Sequence, residues 1–382
     1  MDIQALYKTI DTLYPQYLKI WEDICNIESP TSYKIGVDAV GKYLIDLTMK
    51  KGWQVSKLPQ EVSGEAICIT MNPDATELPI ALSGHMDTVH PVGSFGSPAV
   101  TMDEEKIYGP GVQDCKGGLV VGLLAMDALE KNGYRKRPVM LLLQSDEETG
   151  SRGSGKQTIR WICQQAKDAI AFLNLESSKP NEAVIARKGI ARYQFTVHGK
   201  QAHSGKCING ANAIAHAAHM ILELEKFKDT ETLTCNCGTI SGGTTPNTVP
   251  GLCTFVADFR YDSAEDLKRA EQAVESVANT EYIPGCTCSY SLISSRVSMP
   301  VEQRNLDLLE KANAILADAG IAPMVPAKQT GGSDAADASA SGIPCLDNFG
   351  VQGGASHSQD EFALLSSLAS CAKHLAIIVA GL

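Results

Sequence analysis

LPIALSGHMDTVHP, residues 78–91, begins as an apolar run of the kind that forms a buried β-strand and ends by setting His85 and Asp87 two positions apart. Two residues is the period of a strand, so both side chains point the same way just past its end. A hydrophobic core has no use for an imidazole beside a carboxylate, whereas a chemical site does.

The same grammar surrounds this run. Between about residues 65 and 180 the strands EAICITM, LPIALSG, RPVMLLLQS and AIAFLNLE alternate with helical segments, among them GGLVVGLLAMDALEKNGY. Near-continuous apolar strands of this kind, separated by helices, predict a mainly parallel sheet with helices on both faces, an α/β domain. From about 188 to 298 the pattern changes to strand (IARYQFTVHG), helix (NGANAIAHAAHMILELEKF), strand (TLTCNCGTIS), strand (TVPGLCTFVADFRY), helix (SAEDLKRAEQAVESVAN) and strand (CTCSYSLISS). That order, β-α-β-β-α-β, is ferredoxin-like, and its second helix opens on Ser263 with Asp266 three residues later, a variant of the capping box. The α/β grammar then returns with NLDLLEKANAILADAG, GIPCLDNF and a closing helix from about Phe362 to Ala380. A chain of 382 residues exceeds what one core usually fills. The simplest account is one α/β domain, residues 1–187 and 299–382, interrupted by an inserted α+β domain, residues 188–298.

Composition excludes several classes of function. The chain is 44% hydrophobic and 20% charged, ordinary for a globular protein. Its formal charge of −11, without a long basic run, argues against nucleic acid or an anionic membrane as the main partner. The N-terminal MDIQALYKTIDTLYPQYLKIW mixes charges into an amphipathic pattern and is no secretion signal. The apolar runs around Leu119–Met126 and Leu375–Leu382 are too short to span a bilayer, and a cytoplasmic protein is expected. Twelve cysteines are scattered without a C-x-x-C pair. They are read as small, buried, reduced thiols with no chemistry assigned, including the C-x-C pairs Cys235/Cys237 and Cys286/Cys288.

Ligand-type residues recur at one place in the grammar, immediately after an apolar strand. LPIALSG leads to His85 and Asp87, VMLLLQS to Asp146, Glu147 and Glu148, AIAFLNL to Glu176, and GIPCLDNF to a glycine loop and His357; Asp114 sits in the Gly-rich turn GPGVQDCKGG ahead of a helix. The carboxyl ends of strands in an open α/β sheet form its ligand crevice. Carboxylates gathered there repel one another unless a cation lies among them, which points to bound divalent metal. Two histidines and several carboxylates suit zinc, with related first-row metals such as cobalt or manganese admissible. Two metals roughly 3.5–4 Å apart would share and acidify a water, with one glutamate left over as general base.

GHMDTV, GPGVQDCKGG, EETG and the late ASHSQDE together resemble the metal-site motifs of the M20 dizinc peptidases, the group of glutamate carboxypeptidases, succinyl-diaminopimelate desuccinylases, acetylornithine deacetylases and aminoacylases. The resemblance covers nearly the whole chain, since GKQAHSG and GTISGGTTPNTVP resemble segments of that family's dimerisation domain. It implies two zinc ions per subunit. Asp114 becomes the bridging carboxylate, His85 and Glu176 hold one metal, and Glu148 and His357 hold the other. Glu147 becomes the general base and Asp87 the acid that orients the His85 ring. His203 resembles a histidine that reaches from the partner subunit to the substrate carbonyl, which implies a homodimer through the inserted domain. Asn247 and Arg260 resemble substrate-binding residues, Arg260 suited to a terminal carboxylate, and Gly331, Gly332 and Ser333 match a backbone loop lining the substrate pocket. The implied activity is hydrolysis of an amide or peptide bond next to a free carboxylate in a small peptide, the glutamate-carboxypeptidase-like branch being nearest. An N-acyl-amino-acid deacylase is the alternative.

Two other motifs compete with this reading. GSRGSGKQ, residues 150–157, nearly satisfies the phosphate-loop pattern, yet Gln157 lacks the hydroxyl such loops place on magnesium, and three acids precede it. Ser333, Asp347 and His357 occur in serine-hydrolase order after GGSDA, but no convincing strand precedes them, and that reading leaves the acidic strand ends unexplained.

Overall fold

The computed structural model describes residues 1–229 and 231–382. They cluster into two compact units, Met1–Ala186 with Val301–Lys328 and Ser333–Leu382, and Arg187–Pro300 with Gln329–Gly332. Gln329 to Gly332, which the sequence pattern leaves in the first domain, cluster with the second. There the Lys188 amide donates to the Gln329 carbonyl at 3.0 Å, and the Arg187 guanidinium donates to the Gly331 carbonyl at 3.2 Å.

The first unit opens with α1, Ile3–Asn26, capped by Asp2, whose carboxylate accepts from the amides of Gln4 and Ala5. Leu6, Ile10, Tyr17, Ile20 and Ile24 recur at helical spacing and form its buried stripe. There follow α2 (Lys34–Met49), β1 (Gln54–Leu58), β2 (Ala66–Met71), β3 (Ile80–His85), α3 (Lys116–Lys131), β4 (Val139–Gln144), α4 (Gln157–Gln165) and β5 (Ala171–Asn174). The sheet order is β1-β2-β4-β3-β5 and then the short strand Cys345–Leu346. β3 lies between β4 and β5 and is parallel to both, with Leu82 opposite Leu141 and Leu173. Ile80, Leu82, Leu141 and Leu173 join the large core. The alternate Ala81, Met140, Leu142 and Phe172 are buried as well, and strand alternation puts them on the opposite face.

EAICITM is not one more parallel strand. β2 runs antiparallel to both β1 and β4. The links on either side of it, residues 59–65 and 72–79, hold no helix, and a parallel crossover needs roughly a dozen residues or more.

α3 is pressed against the end of β5. A Cβ on Gly118 would stand 1.9 Å from the Leu175 carbonyl oxygen, and one on Gly122 would stand 3.0 Å from a Leu175 methyl. Only glycine allows that approach, which brings the start of α3 beside the residue following Leu175.

The second unit has strands Gly189–His198, Leu233–Gly242, Leu252–Tyr261 and Thr287–Arg296, with helices Ala213–Leu224 and Ala264–Asn279 between them in ferredoxin-like order. In chain order of the four long strands, the sheet runs second, third, first, fourth, all antiparallel. Phe195 and Phe255 stack at 4.6 Å in its core. Ser263 caps the second helix, its hydroxyl accepting from the Asp266 amide and donating to the Asp266 carboxylate. All twelve cysteines are free thiols, but they are not all buried: Cys207 is exposed, and Cys237, Cys288 and Cys371 are half-buried. Among the described residues, no helix is long and apolar enough to cross a membrane.

Candidate metal centre

Within the first unit, five residues far apart in the chain meet at the carboxyl ends of β3 and β5. His85, the last residue of β3, turns Nε2 toward Asp114 Oδ1 at 3.0 Å and Glu176 Oε1 at 3.5 Å. His357 turns Nε2 toward the other oxygen, Asp114 Oδ2, at 3.4 Å and toward Glu148 Oε2 at 3.3 Å. Asp114 therefore spends one oxygen on each histidine, and each histidine has a further glutamate of its own. His85, Asp114 and Glu148 offer ligand atoms that all lie within 4.8 Å of one another, as do His85, Cys115 and Glu176. The donor set of two imidazoles and three carboxylates fits first-row divalent metal at two adjacent positions sharing Asp114.

Local structure explains each placement. Asp114 immediately precedes Cys115, the N-cap of α3, and the glycine contacts described above hold that helix start next to Glu176. The Glu176 carbonyl accepts from the Gly350 amide at 2.8 Å, and a Cβ on Gly350 would come within 2.2 Å of the Leu175 oxygen. Glu147 and Glu148 begin a single 3-10 turn after β4, closed by Gly150 in the left-handed region at φ 68°. His357 itself has φ 64°.

The electrostatics match a cation site. Burial, with Asp114 close by, pushes Glu176 up to about 7. Burial likewise pushes Glu148 up to about 8, against the pull of His357. His357 is raised to about 10 by Asp114 and Glu148. Burial disfavours the charged form of His85, but Cys115 and the surrounding carboxylates more than offset it and raise this group. Desolvation works against the charged form of Asp114, yet it is held well below the usual carboxylate range by the two imidazoles that donate to it. Three half-buried carboxylates cannot all ionise without positive charge among them, which a divalent metal would supply.

Asp87 meets both the His85 ring and the turn beyond it. The His85 Nδ1–H donates to the Asp87 backbone carbonyl at 2.9 Å, while the Asp87 carboxylate lies at 3.4 Å. The main-chain oxygen thus sets the ring tautomer, leaving Nε2 free to ligate. The fully buried carboxylate also accepts from the amides of Glu147 and Glu148, both at 3.1 Å, and from the Thr31 hydroxyl at 2.6 Å. Its work is to hold the turn that carries the expected general base, Glu147, which is itself buried.

Ser333 is fully buried. Its hydroxyl donates to Asp347 at 2.7 Å, accepts from Asn174 at 2.9 Å and caps the helix Asp334–Ala340. Serine and aspartate meet directly, without the intervening histidine a serine hydrolase needs. The phosphate-loop look-alike is likewise spent: the Asp146 carboxylate accepts from the Ser154 amide at 2.8 Å and the Thr158 hydroxyl at 2.6 Å, filling the place of an anion.

His203, Asn247, Arg260, Gly331 and Gly332 belong to the second unit. His203 and Asn247 are neighbours there, the Ser204 amide donating to the Asn247 carbonyl at 2.9 Å. The exposed His203 ring accepts the Gly205 amide at Nδ1, 3.1 Å away, so the neutral imidazole carries its proton on Nε2 as a donor. The Arg260 Nε donates to the Asp258 carboxylate at 2.8 Å, an acceptor that Arg192 shares, and Arg260 Nη1 donates to the Thr330 carbonyl at 3.3 Å. Two guanidinium groups on one carboxylate leave net positive charge. A Cβ on Gly332 would stand 2.6 Å from Arg296 Cδ, so a larger residue there would have to displace that arginine side chain.

Sequence reasoning passed over Cys115, whose thiol donates to the Leu175 carbonyl beside the cluster, and Glu361. Glu361 closes the ASHSQDE motif and is 1% exposed. Nothing in the motif separates it from the exposed Asp360.

Comparison with known proteins places these observations. Residues 81–380 match the family model described as peptidase family M20/M25/M40. The chain is 29% identical over 361 residues to carboxypeptidase G2 of Pseudomonas sp. (strain RS-16), covering 93% of this chain and 86% of that one. In fold it is similar to a tripeptidase from Staphylococcus aureus, with a TM-score of 0.83 at 20% identity over 96% of this chain and 97% of the other. It is also similar to a dinuclear metal-binding peptidase from Bacillus subtilis, with a TM-score of 0.69 at 15% identity over 97% and 98%.

Proposed function

Because the chain belongs to the peptidase family M20/M25/M40 and is therefore a hydrolase, we propose that it is a two-metal enzyme cleaving an amide or peptide bond next to a free carboxylate, releasing a C-terminal amino acid such as glutamate. The observation that carries the proposal is the division of the cluster by Asp114, one oxygen toward His85 and Glu176 and the other toward His357 and Glu148. The likeness to a carboxypeptidase over nearly the whole chain supports the reaction, and the dinuclear relative supports two metals, zinc by its donor chemistry.

When bound, such a pair acidifies a shared water and polarises the scissile carbonyl. Glu147 takes the proton of the attacking water on its carboxylate and returns it to the leaving amine. His203 donates its Nε2–H to the developing oxyanion. Arg260, carrying the charge that Asp258 leaves over, receives the substrate carboxylate, with Asn247 and the Gly331 to Ser333 backbone alongside. In this proposal the enzyme is a cytoplasmic homodimer in which the inserted domain of a second copy supplies His203. The strand Thr287–Arg296 lies at the edge of its sheet with Tyr290 and Leu292 exposed, a surface suited to a second copy.

The test is bound metal per chain on purified protein, with hydrolysis of folyl-glutamate and acetyl-amino-acid substrates before and after chelation. About two zinc-like ions and chelator-sensitive release of a terminal amino acid are expected. Preference for the acetylated substrates would select the deacylase branch, and protein that takes up no metal would refute the proposal.

A further inference from the structure

We propose that Glu361 is a positioning residue that sets the spacing of the two metal positions by clamping the loop that carries Asp114 to the loop that carries His357. The proposal rests on the two-metal reading above. Glu361 touches no reacting group; it acts through the backbone. Its Oε1 accepts from the amides of Gln113 at 3.0 Å and Asp114 at 3.1 Å. Its Oε2 accepts from the Gly111 amide at 3.2 Å and from His90 Nε2 at 2.7 Å. Its carbonyl accepts from the Gly109 amide at 3.2 Å. A buried carboxylate is costly unless hydrogen-bonded, and this one has four donors, three of them main-chain groups of the Gly-rich turn.

The other end of the clamp is short and rigid. Glu361 lies four residues after His357, in a turn where the Ser358 amide donates to Ala355 and the Glu361 amide to Ser358. Ser356 adds a second tie across the same gap, its hydroxyl donating to the Gln113 side chain at 2.8 Å. The His90 ring is held edge-on by Phe95 at 4.8 Å between centroids. Asp114 reaches two histidines at once, so a shift of its backbone changes both approaches together. A role confined to satisfying loop amides would affect folding alone; a clamp also governs how well two metals fit.

The test uses metal-free protein of the full chain, as wild type, Glu361→Gln and His90→Ala, titrated with cobalt(II) and zinc. Gln keeps the side-chain shape but replaces one acceptor oxygen by an NH2 that opposes the Gly111 amide. His90→Ala removes one donor and leaves the three amides in place. Glu361→Gln is expected to weaken at least one of the two metal affinities roughly 10- to 100-fold and to change the visible cobalt spectrum, which reports coordination geometry. His90→Ala is expected to do the same to a smaller degree. Wild-type affinities and spectrum in Glu361→Gln, whatever its unfolding midpoint, overturn the proposal. Should Glu361→Gln not fold, His90→Ala decides on the same readouts, with an unchanged spectrum and unchanged affinities overturning the proposal. Wild-type protein that binds fewer than two ions overturns the two-metal reading itself, a failure seen before any substitution is compared.

Discussion

Asp87→Asn keeps the shape of a fully buried side chain and removes its charge, and its effect is expected to fall on the turn bearing Glu147 and Glu148. In the structure the two Asp87 oxygens accept one turn amide each at 3.1 Å, whereas the His85 ring has a closer partner in the Asp87 carbonyl, which the substitution leaves intact. An asparagine offers one acceptor oxygen, so one turn N–H must face an NH2 group instead. Leaving a buried donor unsatisfied costs about 1–3 kcal/mol. Expressed wholly in the placement of Glu147 during reaction, that is a fall in kcat of about 5- to 150-fold. Expressed in the ground state, it is a loss of unfolding free energy of the same size. Steady-state kinetics at saturating metal measure the first, and urea unfolding of the metal-free protein measures the second. A variant with full kcat and wild-type stability would refute the hydrogen-bond argument. A variant with full kcat but weakened metal binding would show that Asp87 acts through the His85 ring after all.

Two further outcomes are expected. His203→Ala should lower kcat roughly 10²- to 10³-fold while leaving the unfolding midpoint in place, because the ring is exposed and its bond to the Gly205 amide is local; unchanged turnover removes His203 from the mechanism. For the metal-free protein, the Glu176 and Glu148 carboxyls, pushed up to about 7 and about 8, keep protons in the native state that the unfolded chain releases near 4.5, and His357, raised to about 10, does the same above 6.5. The native state binds more protons, so stability falls as pH rises through this range. The urea midpoint should therefore decrease from pH 6 to 9 while zinc affinity increases, since zinc displaces those protons; a rising midpoint would contradict the assignment.

Much of the candidate site is legible in the chain because its signals are local. The alternation that puts His85 and Asp87 on one side of a strand end needs only the strand period, and EETG after an apolar run marks a turn wherever it folds. The β-α-β-β-α-β order of the second unit follows from switching between periods of 2 and 3.6, and Ser263 with Asp266 carries its own helix start. These features depend on neighbours within a few residues, which is the distance over which a sequence pattern constrains structure.

What only the folded chain decides is the pairing of groups far apart in sequence, above all pairings with backbone amides, which leave no mark on residue type. Asp87 serves amides 60 and 61 residues away. Glu361 serves amides 247 to 250 residues away, and a histidine 271 away. In the sequence Glu361 is indistinguishable from the exposed Asp360 before it. Ser333 stands in a glycine loop that suggests an exposed position, yet it is buried against Asn174 and Asp347, residues brought to it by β5 and the strand beside it. The antiparallel course of β2 is set by links too short for a crossover and by the neighbour it finds in the sheet. An apolar strand reads the same in either direction, because burial depends on which side chains alternate and not on which way the chain runs.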